Sequence, residues 1–343
     1  MIPATATPHK LAPAPRVLFF ADAGPNVGGG HVMRCLTLAQ ALVARGAVCG
    51  FVATPSAAEV LDAFADEGIE RVAEEDVAAA ARNWPASVVV VDHYGFDRTE
   101  ETRLRAVGPL LIAMDDLRRA HDCDLVLDSN LGRTAADYPG IETLAGPDFA
   151  LVRPAFAQRR AGALARRAQD AAPSRLMISL GLTDVAAITA RVVAAVLPVC
   201  AGLAVDVVLG AGAASLARLQ ALAAADARLS LHVNTQAMPD LTAAADLAIG
   251  AGGSSVWERC CLGLPAITVV LADNQRPNAA ALETAGAALA LEAGAEDFED
   301  RLRSALRRLA EDAPLRQAMS AAAAALCDGG GAERVADRLL ARI

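Results

Sequence analysis

Short apolar runs rich in Val, Ile and Leu alternate with stretches of helical periodicity along most of this chain. That alternation admits few folds other than a parallel sheet covered on both faces. In the first half, Val17 to Ala21, Val48 to Ala53, Val88 to Val91, Leu110 to Met114 and Leu125 to Leu127 read as strands. A second series repeats the pattern: Leu176 to Leu180, Val205 to Leu209, Leu229 to Val233, Leu247 to Gly250, Ile267 to Leu271 and Ala288 to Leu291. Between the first two runs, Val32, Cys35, Leu36, Ala39, Leu42 and Val43 recur at three- and four-residue steps, and Gly46 supplies a left-handed end. A helix is therefore expected to begin at His31.

At 343 residues the chain exceeds one comfortable core. The Arg-, Ala- and Gln-rich stretch Arg159 to Arg175 carries no strand signal, so the crossing between two lobes is expected within it. This gives a Pro/Ala-rich, flexible N-terminal extension (1–15), a first α/β domain (16–165), a second (166–343) and a cleft between them. The tail from Asp297 reads as two or three amphipathic helices, the last packing back across the lobes. A net charge of -9 argues against nucleic acid, which is held by clustered Lys and Arg. No segment has the length and flanks of a membrane span, and the start lacks a signal-peptide core, so a cytoplasmic protein without membrane insertion is expected. The seven cysteines form no CxxC pair and are expected to be reduced and mostly buried.

The chemistry is expected where strands run into glycine-rich turns. Gly28-Gly29-Gly30-His31 follows the first strand, so the backbone can approach a ligand at Gly29 and Gly30 and His31 opens the helix. The positive end of that helix disfavours a second positive charge, which suits His31 to act as a general base. Asp92-His93-Tyr94 closes the third strand at the same sheet edge, where open α/β folds bind ligands. Tyr94 is a second candidate, whereas Asp92 is either a site residue or a turn cap. In the second half, Gly250-Ala251-Gly252-Gly253-Ser254-Ser255 leads from a strand into a helix. Gly252, Gly253, Ser254 and Ser255 would offer N–H groups and hydroxyls to a diphosphate, and Glu258, one turn on, would take the two hydroxyls of a ribose. Asn274, Gln275 and Asn278 bring amides suited to sugar hydroxyls and acetamido groups. Thr183 and Asp184 either border the ligand or cap a helix. The glycines do not fall as GxGxxG and no GxxxxGK[ST] is present, so neither NAD nor a P-loop is expected. Asp115-Asp116 and His121-Asp122-Cys123-Asp124 gather acids around a histidine without a spacing that fixes a coordination geometry, so no metal is expected.

Taken together, Gly30-His31-Val32-Met33-Arg34-Cys35-Leu36-Thr37-Leu38-Ala39, Val91-Asp92-His93-Tyr94, His121-Asp122-Cys123-Asp124-Leu125, Ala248 to Ser254 and Trp257 to Pro265 resemble the UDP-2,4-diacetamido-2,4,6-trideoxy-β-L-altropyranose hydrolases of pseudaminic acid biosynthesis. The wider resemblance is to the B-type glycosyltransferases. It implies two Rossmann-like parallel-sheet domains, UDP held by the second, no cofactor or metal, and water as acceptor. By that likeness His31 corresponds to the catalytic base, Tyr94 lies beside the sugar, and Gly252 to Ser255 with Glu258 hold the UDP. One position departs: the family usually has two glycines where this chain has Gly181-Leu182. The expected reaction is hydrolysis of the anomeric C–O bond with inversion. The competing readings are a glycosyltransferase using a UDP-sugar donor and a non-catalytic nucleotide-sugar binding module.

Overall fold

Strands buried on both faces need apolar side chains in both directions, and the chain supplies them. The first sheet holds β1 (Arg16–Ala21), β2 (Val48–Val52), β3 (Ile69–Val72), β4 (Val88–Asp92), β5 (Leu110–Met114), β6 (Leu125–Asp128) and β7 (Glu142–Ala145). The second holds β8 (Arg175–Ser179), β9 (Ala204–Leu209), β10 (Leu229–Val233), β11 (Leu247–Ala251), β12 (Ala266–Val270) and β13 (Leu289–Glu292). Both are parallel throughout, in the orders β3-β2-β1-β4-β5-β6-β7 and β10-β9-β8-β11-β12-β13. This computed structural model describes residues 13–24, 27–74, 76–169 and 171–343, so the extension expected over 1–15 lies outside the described residues apart from 13–15.

The expected two-sheet α/β architecture is present, with two strands added by the structure. β3 and β7 are edge strands, and in β3 only Ile69 and Val72 are buried while Glu70 and Arg71 face out. An edge strand needs no continuous apolar run, which is why pattern reading passes over it.

The connections are less simple than the sequence implies. The helix Pro154–Arg167 precedes the second sheet, yet its arginines fasten it to that lobe. Arg160 donates to the carbonyls of Cys261, Ala324 and Cys327, Arg166 to those of Ala243 and Ala245, and Arg167 to those of Thr242 and Ala245. These carbonyls end three helices of the second lobe, where unpaired C=O groups and the helix dipole favour cations. The helix Gly331–Leu340 crosses back, placing Ala332, Val335, Ala336 and Leu339 in the first lobe's core beside Leu38 and Leu42 of the helix Gly30–Val43. No helix among the described residues is long and apolar enough to cross a membrane. All seven cysteines are free and buried.

Each sheet reverses its strand order once, between β1 and β4 and between β8 and β11. Crevices open beyond the carboxyl ends of strands at such reversals. The two crevices face each other.

Candidate active site

A cavity of about 340 Å³ lies between them. Gly28, Gly29, Gly30, Arg34 and Tyr94 wall it from the first lobe, and Leu180 to Thr183, Gly253 to Ser255, Glu258, Asn274 and Gln275 from the second. Gly28 adopts a φ of +84°, which favours glycine, and a Cβ on Gly29 would stand 3.0 Å from the Leu182 side chain, which would have to shift to admit it. Leu182, at the position where the resemblance departs, thus fills the space over that turn.

On the first lobe a buried carboxylate organises two basic side chains. Asp92 ends β4, in register with Ala21 at the end of β1. It accepts from His31 Nδ1 at 2.5 Å and from Arg34 Nε and Nη2 at 2.5 Å each. Burial would raise the Asp92 pKa, but the Arg34 charge and then that of His31 overcome it and hold the carboxyl well below the usual range. An ionised carboxylate can only accept, so Nδ1 carries the proton and in the neutral ring the lone pair is on Nε2. His31 Nε2 makes no hydrogen bond among the described residues, and 8% of the side chain stays exposed. The imidazole stands edge-on to Tyr94, ring centroids 4.6 Å apart.

Tyr94 joins the lobes: its hydroxyl donates to Asp116 Oδ2 at 3.0 Å and accepts from Asn274 Nδ2 at 2.7 Å. Burial, reinforced by the Asp116 charge, pushes the phenol far above its ordinary value, so it works as a neutral hydrogen-bonding group. On the second lobe, Ser254 and Ser255 open a helix of two turns, Ser255–Cys261. Glu258 faces Arg153 at 3.4 Å, and burial raises its pKa against the pull of that arginine.

Not every expected residue reaches the cavity. His31 contributes no wall; Gly30, Arg34 and Tyr94 around it do. Asp184 is 1% exposed and accepts from the backbone N–H groups of Thr189 and Ser215, which makes it a buried cap. Asn278 accepts from the Leu131 N–H at 3.0 Å and ties the lobes together away from the cavity. Gly252 sits behind Gln275. Arg34, three residues after His31 and so on the same helix face, is the group that sequence reading passed over. Asp116, Arg153 and Arg259 carry no comparable signal.

The geometry can be set beside known proteins. Residues 202–337 match the model of the glycosyltransferase family 28 C-terminal domain. The UDP-2,4-diacetamido-2,4,6-trideoxy-beta-L-altropyranose hydrolase of Campylobacter jejuni is 26% identical over 151 residues, which are 42% of this chain and 54% of that protein. The spore coat polysaccharide biosynthesis protein SpsG of Bacillus subtilis is 27% identical over 193 residues, 55% of this chain and 56% of that one. The chain thus spans about half the length of the curated relatives it matches. The crystal structure of MurG from Acinetobacter baumannii superposes with a TM-score of 0.67 at 20% identity, covering 96% of this chain and 100% of that chain. The fold is that of the B-type glycosyltransferases.

Proposed function

We propose that this protein hydrolyses a UDP-linked sugar at the anomeric C–O bond, the sugar being the 2,4-diacetamido-2,4,6-trideoxy-β-L-altropyranosyl group named for the Campylobacter relative. The observation that carries the reading is an Asp92-oriented histidine set behind the Gly30, Arg34 and Tyr94 wall of a cavity whose opposite wall is a small-residue turn suited to a diphosphate. His31 Nε2 takes a proton from water at the exposed edge of its ring. The water oxygen attacks the anomeric carbon from the face opposite UDP, and the electron pair of the breaking bond leaves on the β-phosphate oxygen. The sugar is released with inverted configuration. Oriented general-base catalysis supplies about 10²- to 10⁴-fold. The N–H groups of Gly253 to Ser255 take up charge on the departing diphosphate, and Glu258 holds the ribose hydroxyls once Arg153 yields it. Tyr94 and Asn274 lie against the sugar. No cofactor or metal enters this scheme.

The second reading is a glycosyltransferase, favoured by the family 28 match over the second lobe. A panel of UDP-sugars, incubated without acceptor and followed by NMR of the anomeric proton, separates the two. Hydrolysis predicts free sugar and UDP from the diacetamido donor, whereas no UDP release from any donor would overturn it in favour of transfer.

A further inference from the structure

Two little-exposed arginines of this protein are each answered by a carboxylate, whereas Arg167 rests on the carbonyls of Thr242 and Ala245. Arg34 has Asp92, and Arg133 has Asp128 at 2.6 Å. Arg259, only 3% exposed, has no carboxylate within salt-bridge distance among the described residues. Its Nη2 donates to the Ala251 carbonyl at 2.9 Å and its Nη1 to Ser255 Oγ at 3.1 Å. The neighbouring Glu258 is engaged with Arg153 instead. Space for the guanidinium is made by Gly250, where any Cβ would stand 2.3 Å from Nη1. Burial drives the Arg259 pKa down to about 10, which leaves the group charged at neutral pH.

A buried cation without a carboxylate partner costs stability, which a carbonyl such as that of Ala251 offsets only in part, so a nearby anion is favoured. The candidate is on the other side of the turn. Arg259 reaches Ser255 from beneath, and Ser255 lines the cavity. A hydroxyl that accepts from a guanidinium has its own proton free to donate elsewhere, and polarisation by the cation strengthens that donation. A helix of only two turns offers a modest dipole, whereas Arg259 adds a full positive charge that little water can screen.

We propose that Arg259 is the fixed counter-charge for the diphosphate of the ligand, acting through the Ser255 hydroxyl from beneath the turn Gly252 to Ser255. The inference rests on the reading that a uridine diphosphate occupies this turn, and it adds that affinity rises with the charge of the ligand because of one buried side chain.

Titration calorimetry with uridine, UMP and UDP tests it on wild type and on the R259K, R259Q and S255A variants, each checked for folding by circular dichroism. R259Q is expected to lose roughly tenfold in UDP affinity, less for UMP, and at most about twofold for uridine, because the lost term is electrostatic. R259K, which keeps the charge, retains most of the UDP preference. S255A leaves Arg259 in place and falls between them, again selectively for UDP. Should R259Q not fold, R259K and S255A carry the test. Equal losses for uridine and UDP, or unchanged UDP preference in the folded variants, would overturn the inference while leaving the cradle reading intact. A wild-type protein that binds none of the three ligands overturns both.

Discussion

Two histidines of the first lobe, His31 and His121, are both 7% exposed, and each presents Nδ1 to a carboxylate, yet their second nitrogens are treated differently. His31 has one carboxylate, shared with Arg34, and its second nitrogen stays without a partner beside a cavity wall. His121 is held from both sides, by Glu101 at 2.7 Å from Nδ1 and by Asp115 at 3.5 Å from Nε2. Burial would lower the His121 pKa, but Asp115 and Glu101 outweigh it and lift it to about 9. A ring fixed as a cation cannot take a proton, so His121 pins loops, whereas the unpartnered nitrogen of His31 is what the proposed base role requires. What separates a base from a pin is the nitrogen left over.

The comparison breaks first at His31. His31→Asn should lower kcat by about 10²- to 10⁴-fold with UDP affinity nearly unchanged, as measured by UDP release and calorimetry. Asp92→Asn replaces an obligate acceptor by a group that can also donate, so it misorients the ring and uncouples Arg34. A drop of about 10²-fold in kcat is expected, together with an altered pH profile of kcat/KM. At His121 the effect moves from rate to stability. His121→Asn leaves Glu101 and Asp115 without their shared cation and should cost about 3 kcal/mol in urea unfolding, the folded fraction retaining its turnover.

The pH dependence sharpens the same contrast. The folded-state pKa of His121 lies above the ordinary 6.5, so its contribution is full below pH 6.5 and is lost as pH rises through about 9. Wild-type unfolding midpoints should fall across that window, and His121→Asn should flatten the decline. The smallest effect is expected at the lobe tie: Asn278→Ala removes the bond to the Leu131 N–H and should cost about 1 kcal/mol.

The central strands could be read from the sequence because burial on both faces forces long apolar runs, of which Val88 to Val91 is the plainest. The edge strands β3 and β7 escaped because half-exposed backbone tolerates Glu70 and Arg71. Within the site, glycines and the histidine announced the cavity edge, since few side chains fit where a backbone must approach a ligand. The polar partners did not announce themselves. Asp92 reads equally as a cap until β1 and β4 are laid side by side, and Asp184, which reads as a ligand neighbour or a cap, spends both oxygens on backbone N–H groups. Arg259 looks like any surface arginine until the burial of its helix face is known. Such roles depend on register and burial between segments far apart in the chain, which local pattern does not encode.

The central claim is that one cavity directs an activated water onto the anomeric carbon of a UDP-sugar. Turnover in ¹⁸O-labelled water, with both products analysed by mass spectrometry, tests it most directly. The account predicts the label in the hydroxyl at the sugar's anomeric carbon and none in UDP. Label in the diphosphate, or no turnover without an added acceptor, would contradict it.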